Sequence, residues 1–182
     1  MIRLLRMLRS RRGSAAVEMA LVTPLLLALG IGSVELGNFM LDQHRLTKAV
    51  RDAARYAARQ PFSTYNACTP PSTVNVPSGT SPNNIPANVT ALVHTGQLSG
   101  GTDQLANWSN LASSVTLQMR CTPLATQIGN QLMSGVYNGN VSGSVVVIVT
   151  GTVRYKPLVK AFGFTGEGFD LYAKEEAPVS GV

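Results

Sequence analysis

The sequence predicts an α+β protein: a long N-terminal helix, half of it fit to cross a membrane, carrying a small antiparallel-sheet head. Three observations predict this. A basic stretch runs into an apolar one from Ala15 to Leu41, whose centre, Met19 to Val34, carries no charge. Helical spacing then continues to Gln60 with one polar and one apolar face. Beyond residue 110 the apolar residues alternate with polar ones at the period of two that half-buried strands show.

Length and charge narrow the function classes. At 182 residues there is room for one modest domain plus an anchor, and not for two full cores. The formal charge is +6, which suggests a nucleic-acid partner until it is located. Arg3, Arg6, Arg9, Arg11 and Arg12 supply five positives in the first thirteen residues, with no acid among them; without that segment ten basic residues face nine acidic ones. A basic segment abutting an apolar run is a membrane-orientation signal, whereas a nucleic-acid binder carries its charge on the folded domain. No nucleic-acid partner is expected. Only 13% of residues are charged, and Ser, Thr, Asn and Gly are plentiful beyond residue 60, a composition suited to work outside the cytoplasm.

Taken in order, residues 1–13 read as a cytoplasmic basic leader and 14–41 as a transmembrane helix. At 1.5 Å per residue, residues 15–41 extend about 40 Å, more than a hydrocarbon core of about 30 Å. Pro24 is compatible with this, since membrane helices tolerate proline and often kink there. Small residues at Ala16, Ala20, Ala28 and Gly32, with Ser33 and Gly37 four apart, have the spacing that lets helices approach closely; small residues are also simply common in membrane segments. Glu35, near the outer end, is expected to snorkel to the interface. Arg45, Lys48, Arg51, Arg55 and Arg59 give the outer flank five positives as well, so charge counting alone does not orient the segment. The acid-free leader and the long downstream domain place the N-terminus in the cytoplasm.

Three readings compete for the leader. A secretory signal with cleavage near Gly30 or Gly32 conflicts with the apolar character that continues through Leu36, Phe39, Met40 and Leu41. Ser10-Arg11-Arg12 resembles the start of a twin-arginine signal, but Gly13-Ser14-Ala15 lacks the bulky apolar residues expected next. The third reading is a prepilin leader. The string Arg11-Arg12-Gly13-Ser14-Ala15-Ala16-Val17-Glu18 followed by ALVTPLLL resembles the start of TadE-like proteins, minor pilins or pseudopilins of the bacterial tight-adherence (Tad, Flp-type) pilus system. The resemblance covers about residues 11–60. It implies cutting by a prepilin peptidase after Gly13, a new N-terminus at Ser14, and an assembly role for Glu18, five residues into the mature chain. Met19 stands where the family usually has an aromatic residue. The resemblance further implies other pilin-like subunits and the inner-membrane assembly platform as partners, and a part in adhesion and biofilm formation.

Glu18 is notable without any family. A carboxylate at the edge of an apolar helix is costly unless paired, so it is a functional candidate by default. The amine created on Ser14 of a neighbouring subunit would neutralise it during assembly; snorkelling to the headgroups is the competing account.

Residues 42–60 read as an amphipathic helix, with Arg45, Lys48, Asp52, Arg55 and Arg59 on one face and Leu46, Val50, Ala53 and Ala57 on the other. It packs either on the head or on anionic lipid, and Pro61 ends it. Residues 61–110, rich in Pro, Ser, Thr and Asn, read as a long loop region with short strands around Val89 to His94. Residues 111–182 read as the antiparallel sheet of the extracytoplasmic head. Its strands are one holding Val115, Leu117, Met119 and Cys121, a central one from Ser144 to Lys156 with a bulge at Gly151, and one from Phe169 to Glu175; helix 42–60 covers them. Residues 123–133 are a candidate short helix, and Asn138-Gly139 is a hairpin-turn signal. The apolar loop from Pro157 to Phe164 either packs beneath the sheet or meets a partner.

Cys68 and Cys121, 53 positions apart, show no metal-like spacing. They form one disulfide in an oxidising compartment or remain buried thiols. Neither His44, His94, Asp103 nor Gly166-Glu167-Gly168 assembles a catalytic, metal or phosphate pattern, so no enzyme, metal or cofactor is expected. The competing functions are a pilin-like subunit, a single-pass anchored protein whose outer domain binds a ligand, and a secreted protein with a cleaved signal.

Overall fold

A computed structural model of the chain describes residues 14–69, 72–79, 84–108, 113–122, 143–158 and 169–181. The first element, α1, is one unbroken helix of 45 residues, Ser14–Ala58. Its Ala, Leu, Met and Glu content favours helix, and no run of β-branched residues opposes it. Pro24 lies inside the helix and brings no amide N–H to the ladder. Nearby hydroxyls turn inward to the backbone: Thr23 Oγ1 donates to the Met19 carbonyl at 2.6 Å and Ser33 Oγ to that of Gly30 at 2.8 Å. Hydroxyls satisfied in this way suit a helix in an apolar medium.

Proximity divides the chain into two units. One contains residues 14–39 together with Pro157 and Leu158; the other contains residues 40–156 and 169–181. The second unit is the head. There the remainder of α1 buries Leu46, Ala49, Val50, Ala53, Ala54, Ala57 and Ala58 while Arg45, Lys48, Arg51, Asp52 and Arg55, and Arg59 just past its end, stay exposed, as the amphipathic pattern predicts.

The last carbonyls of α1, which lack helical partners, are taken up by the head. Ala57 O accepts from the Tyr65 hydroxyl at 2.6 Å and from Gln60 N–H at 3.1 Å. Ala58 O accepts from Ser180 N–H at 2.9 Å and the Ser180 hydroxyl at 3.3 Å. Pro61 caps the following 3-10 turn, Phe62–Tyr65.

The sheet is an antiparallel meander of β1 (Ser72–Asn75), β2 (Ser114–Thr122), β3 (Ser144–Arg154) and β4 (Asp170–Pro178), in that order. Central β3 pairs Leu117 with Val149 on one side and Ala173 with Gly151 on the other. It buries Val145, Val147, Ile148, Val149 and Val153. Ile148 faces the polar side of the sheet, where Arg120 reaches Glu176 at 2.6 Å and Lys174 reaches the same carboxylate at 2.9 Å. Donation from Lys174 and then Arg120 holds the Glu176 carboxyl below its ordinary value.

Three expectations are corrected. The register runs straight through Gly151, opposite Val115 and Ala173, so there is no bulge. Glycine is needed there for a different reason: an added Cβ would lie 3.0 Å from Val50 Cγ2 and 3.2 Å from Leu46 Cδ1. Closeness of helix and strand, not irregularity, explains this glycine. Second, Val89 to His94 is helix, not strand. It lies in α2, Ile85–Thr95, where Asn84 Oδ1 caps Ala87 N–H at 3.2 Å, a proline occupies the first turn, and Gly96 at φ 74° closes the end. Ile85, Val89 and Val93 recur every fourth residue on its buried face, a helical spacing that outweighs their β-branched propensity. Third, the last strand runs from Asp170 to Pro178, and Phe169, expected within it, stands outside and exposed. The expected helix at 123–133 and the turn at Asn138-Gly139 lie outside the described residues.

Candidate functional site

The residues singled out by the sequence fall into an apolar unit around the first half of α1 and a cross-linked head. Gly13 lies outside the described residues; Ser14, immediately after it, opens α1. Glu18 is exposed one turn further on. Every residue from Ala15 to Gly30 is exposed, among them Val17, Leu21, Val22, Leu25, Leu26, Leu27 and Leu29. Among the described residues no packing covers these side chains. By length and composition this helix is a candidate membrane span.

Glu35 departs from expectation. It does not extend to solvent but is buried, 4% exposed, and its Oε1 accepts the backbone N–H of Leu158 at 3.1 Å. Pro157 and Leu158 belong to the same unit as residues 14–39. Leu158 itself is 63% exposed. Residues 159–164 of that loop lie outside the described residues. Nothing in the sequence pairs Glu35 with a position 123 residues away, and a backbone donor leaves no side-chain signature.

In the head, Cys68 and Cys121 are joined in a disulfide with Cα atoms 6.1 Å apart. Cys68 follows the 3-10 turn that ends α1, and Cys121 sits on β2 opposite Ser72 of β1, so the bridge ties the segment leaving the helix to the sheet. Both are buried. Tyr65, buried in the same region, has its hydroxyl raised above its ordinary value by desolvation and by Tyr56. Tyr56 in turn accepts from Asn88 Nδ2 at 2.9 Å, which joins α1 to α2.

His44 is exposed on α1. His94 and Asp103 meet. His94, in the last turn of α2, stacks on Trp108 with ring centres 4.1 Å apart, and its Nδ1 lies 3.6 Å from Asp103 Oδ1. Its main-chain carbonyl accepts from Gln104 N–H at 2.8 Å. Burial lowers the imidazole below its ordinary value, and Asp103 offsets this in part. The cluster binds the segment after α2 back onto the helix and holds no nucleophile. On α1, Arg45–Asp42 at 3.0 Å and Arg55–Asp52 at 3.8 Å pair within the helix, and Arg51 reaches Glu175 of β4 at 3.6 Å.

Compared with known families, residues 13–55 match the family described as TadE-like protein. The match begins at the glycine singled out for processing and ends within the amphipathic half of α1, so this N-terminal segment is TadE-like. Neither the curated proteins nor the solved structures yield a match to the chain.

Proposed function

Proceeding from a TadE-like N-terminal segment, we propose that the protein is a minor pilin or pseudopilin supporting assembly of a Tad (Flp-type) pilus, and through it adhesion and biofilm formation. The observation that carries this reading is the match over residues 13–55, laid on a single helix whose first half is exposed and apolar and whose second half is built into a head. The chain sits in the bacterial inner membrane, with the leader in the cytoplasm and the head in the periplasm or on a pilus. A prepilin peptidase cuts between Gly13 and Ser14. The new amine on Ser14 of one subunit neutralises Glu18 of the next, and the low dielectric makes that pairing selective for one stagger. The remaining partners are other pilin-like subunits and the inner-membrane assembly platform. The role is structural, with no catalytic step.

Mass spectrometry of the protein from its native membrane tests the processing: the expected N-terminus is Ser14. One near Ser33 would indicate secretion by signal peptidase, and an intact Met1 a plain anchored protein. Glu18→Ala is expected to insert and be cleaved but to abolish pili; normal piliation in that variant would refute the role given to Glu18.

A further inference from the structure

Glu35 and Leu158, both in the unit of the apolar half of α1, lie far apart in sequence yet meet. Glu35 lies seventeen positions after Glu18, about 25 Å along a helix at 1.5 Å each. With Glu18 at the inner boundary of a hydrocarbon core of about 30 Å, Glu35 falls a few ångströms short of the outer boundary, and tilt moves it deeper, not outward. A carboxylate at that depth needs cover and a donor, and Glu35 has both: it is buried, and Leu158 N–H donates to it.

The same contact explains how Leu158 tolerates that depth. Leu158 is not in a helix or strand, and non-helical backbone within a bilayer is stable only where its polar groups are satisfied by the protein. Its N–H is satisfied by Glu35. Its side chain is 63% exposed, close to the exposure of Val34 and Leu36 on the adjoining turn of α1, which are 60% and 57% exposed. An apolar side chain held at this level meets lipid.

We propose that Leu158 is a second membrane contact, inserted into the outer interface of the bilayer beside α1, with Glu35 buried beneath it as the residue that positions its backbone. The contacting partner is the boundary between headgroups and acyl chains. The protein is thereby held at two points in its sequence, 123 residues apart. This rests on α1 being the anchor.

The test uses the full chain in vesicles of phosphatidylethanolamine and phosphatidylglycerol, with Cys68 and Cys121 kept oxidised. A nitroxide is attached in turn to Leu26→Cys, Leu158→Cys and Ser78→Cys, the last on the exposed surface of the head. Collision with oxygen, which concentrates in lipid, is compared with collision with a water-soluble nickel chelate. The label at 158 is expected to behave like that at 26, with access to nickel about tenfold below that of the label at 78, as partition of an apolar group out of water dictates. A label at 158 as open to nickel as that at 78, while 26 remains in lipid, overturns the proposal and leaves the anchor standing. A label at 26 open to nickel overturns both. In the Leu158→Cys background, Glu35→Ala is expected to move the label toward water, whereas Glu35→Gln, whose amide oxygen still accepts the N–H, keeps it in lipid. Equal behaviour of the two variants refutes the positioning role of Glu35.

Discussion

Adding one methyl group at Gly151 probes how closely α1 and the sheet approach. The Cβ of Gly151→Ala would lie 3.0 Å from Val50 Cγ2, 3.2 Å from Leu46 Cδ1 and 3.8 Å from Val93 Cγ1. The first two distances fall short of carbon–carbon contact at about 3.5–4.0 Å, so helix or side chains must shift by several tenths of an ångström. Overpacking of this kind costs about 1–3 kcal/mol. Loss of glycine's freedom in the unfolded chain returns about 0.4–1 kcal/mol, because Gly151 has no positive φ that alanine would strain. The net expectation is destabilisation by about 1–2 kcal/mol. Val50→Ala alone opens a cavity beside a residue that is 1% exposed and is also destabilising. The double variant, however, seats the new methyl where the Val50 methyls were, so the cost of Gly151→Ala falls to near zero in that background. Urea unfolding of the full chain in detergent, read by the fluorescence of its single tryptophan, Trp108, measures all four corners of the cycle. A neutral Gly151→Ala, or a cost unchanged by Val50→Ala, would refute the account of Gly151 as the point where helix meets strand.

Two further outcomes test the head. Replacing Cys68 and Cys121 together by serine frees a loop of 53 residues' separation, and stability is expected to fall by about 4 kcal/mol on the chain-entropy account. Labelling of both thiols in denatured, unreduced protein would show instead that the bridge does not form in the cell. Burial holds His94 below its ordinary value of 6.5, so the unfolded chain takes up this proton first as pH falls. The contribution is therefore neutral above pH 6.5 and becomes a loss of stability as pH falls below 6.5 toward the folded-state value. The urea midpoint should drop between pH 7 and 5, and His94→Gln should flatten that slope; a midpoint that rises on acidification would mean that the Asp103 contact dominates.

Much of the architecture was legible because it rests on local patterns. The apolar stretch from Ala15 to Leu41, with its charge-free centre, marks a candidate spanning helix by length and composition. Leu46, Val50, Ala53 and Ala57 share a face at helical spacing, and that face is the one α1 buries. Leu117, Met119 and Cys121 alternate along β2, and the structure buries all three. Ile85, Val89 and Val93 carried a helical period too, but a surrounding wealth of Pro, Ser and Asn obscured it; the cap at Asn84 and the stop at Gly96 bound an element within what composition marks as loop.

By itself, then, the sequence determined the candidate anchor, the amphipathic continuation, the alternating strands and the glycine–glutamate spacing at residues 13 and 18, since each depends on residues a few positions apart. Tertiary structure alone decided which distant groups meet. A backbone N–H at 158 settles on Glu35, Ser180 takes the last carbonyl of α1, Trp108 lies against His94, and Gly151 is small because Val50 and Leu46 come down on it. Contacts of this kind are made by main-chain donors or by the lack of a side chain. They leave no pattern along the chain to be read, because what selects them is the distance between segments that only folding brings together.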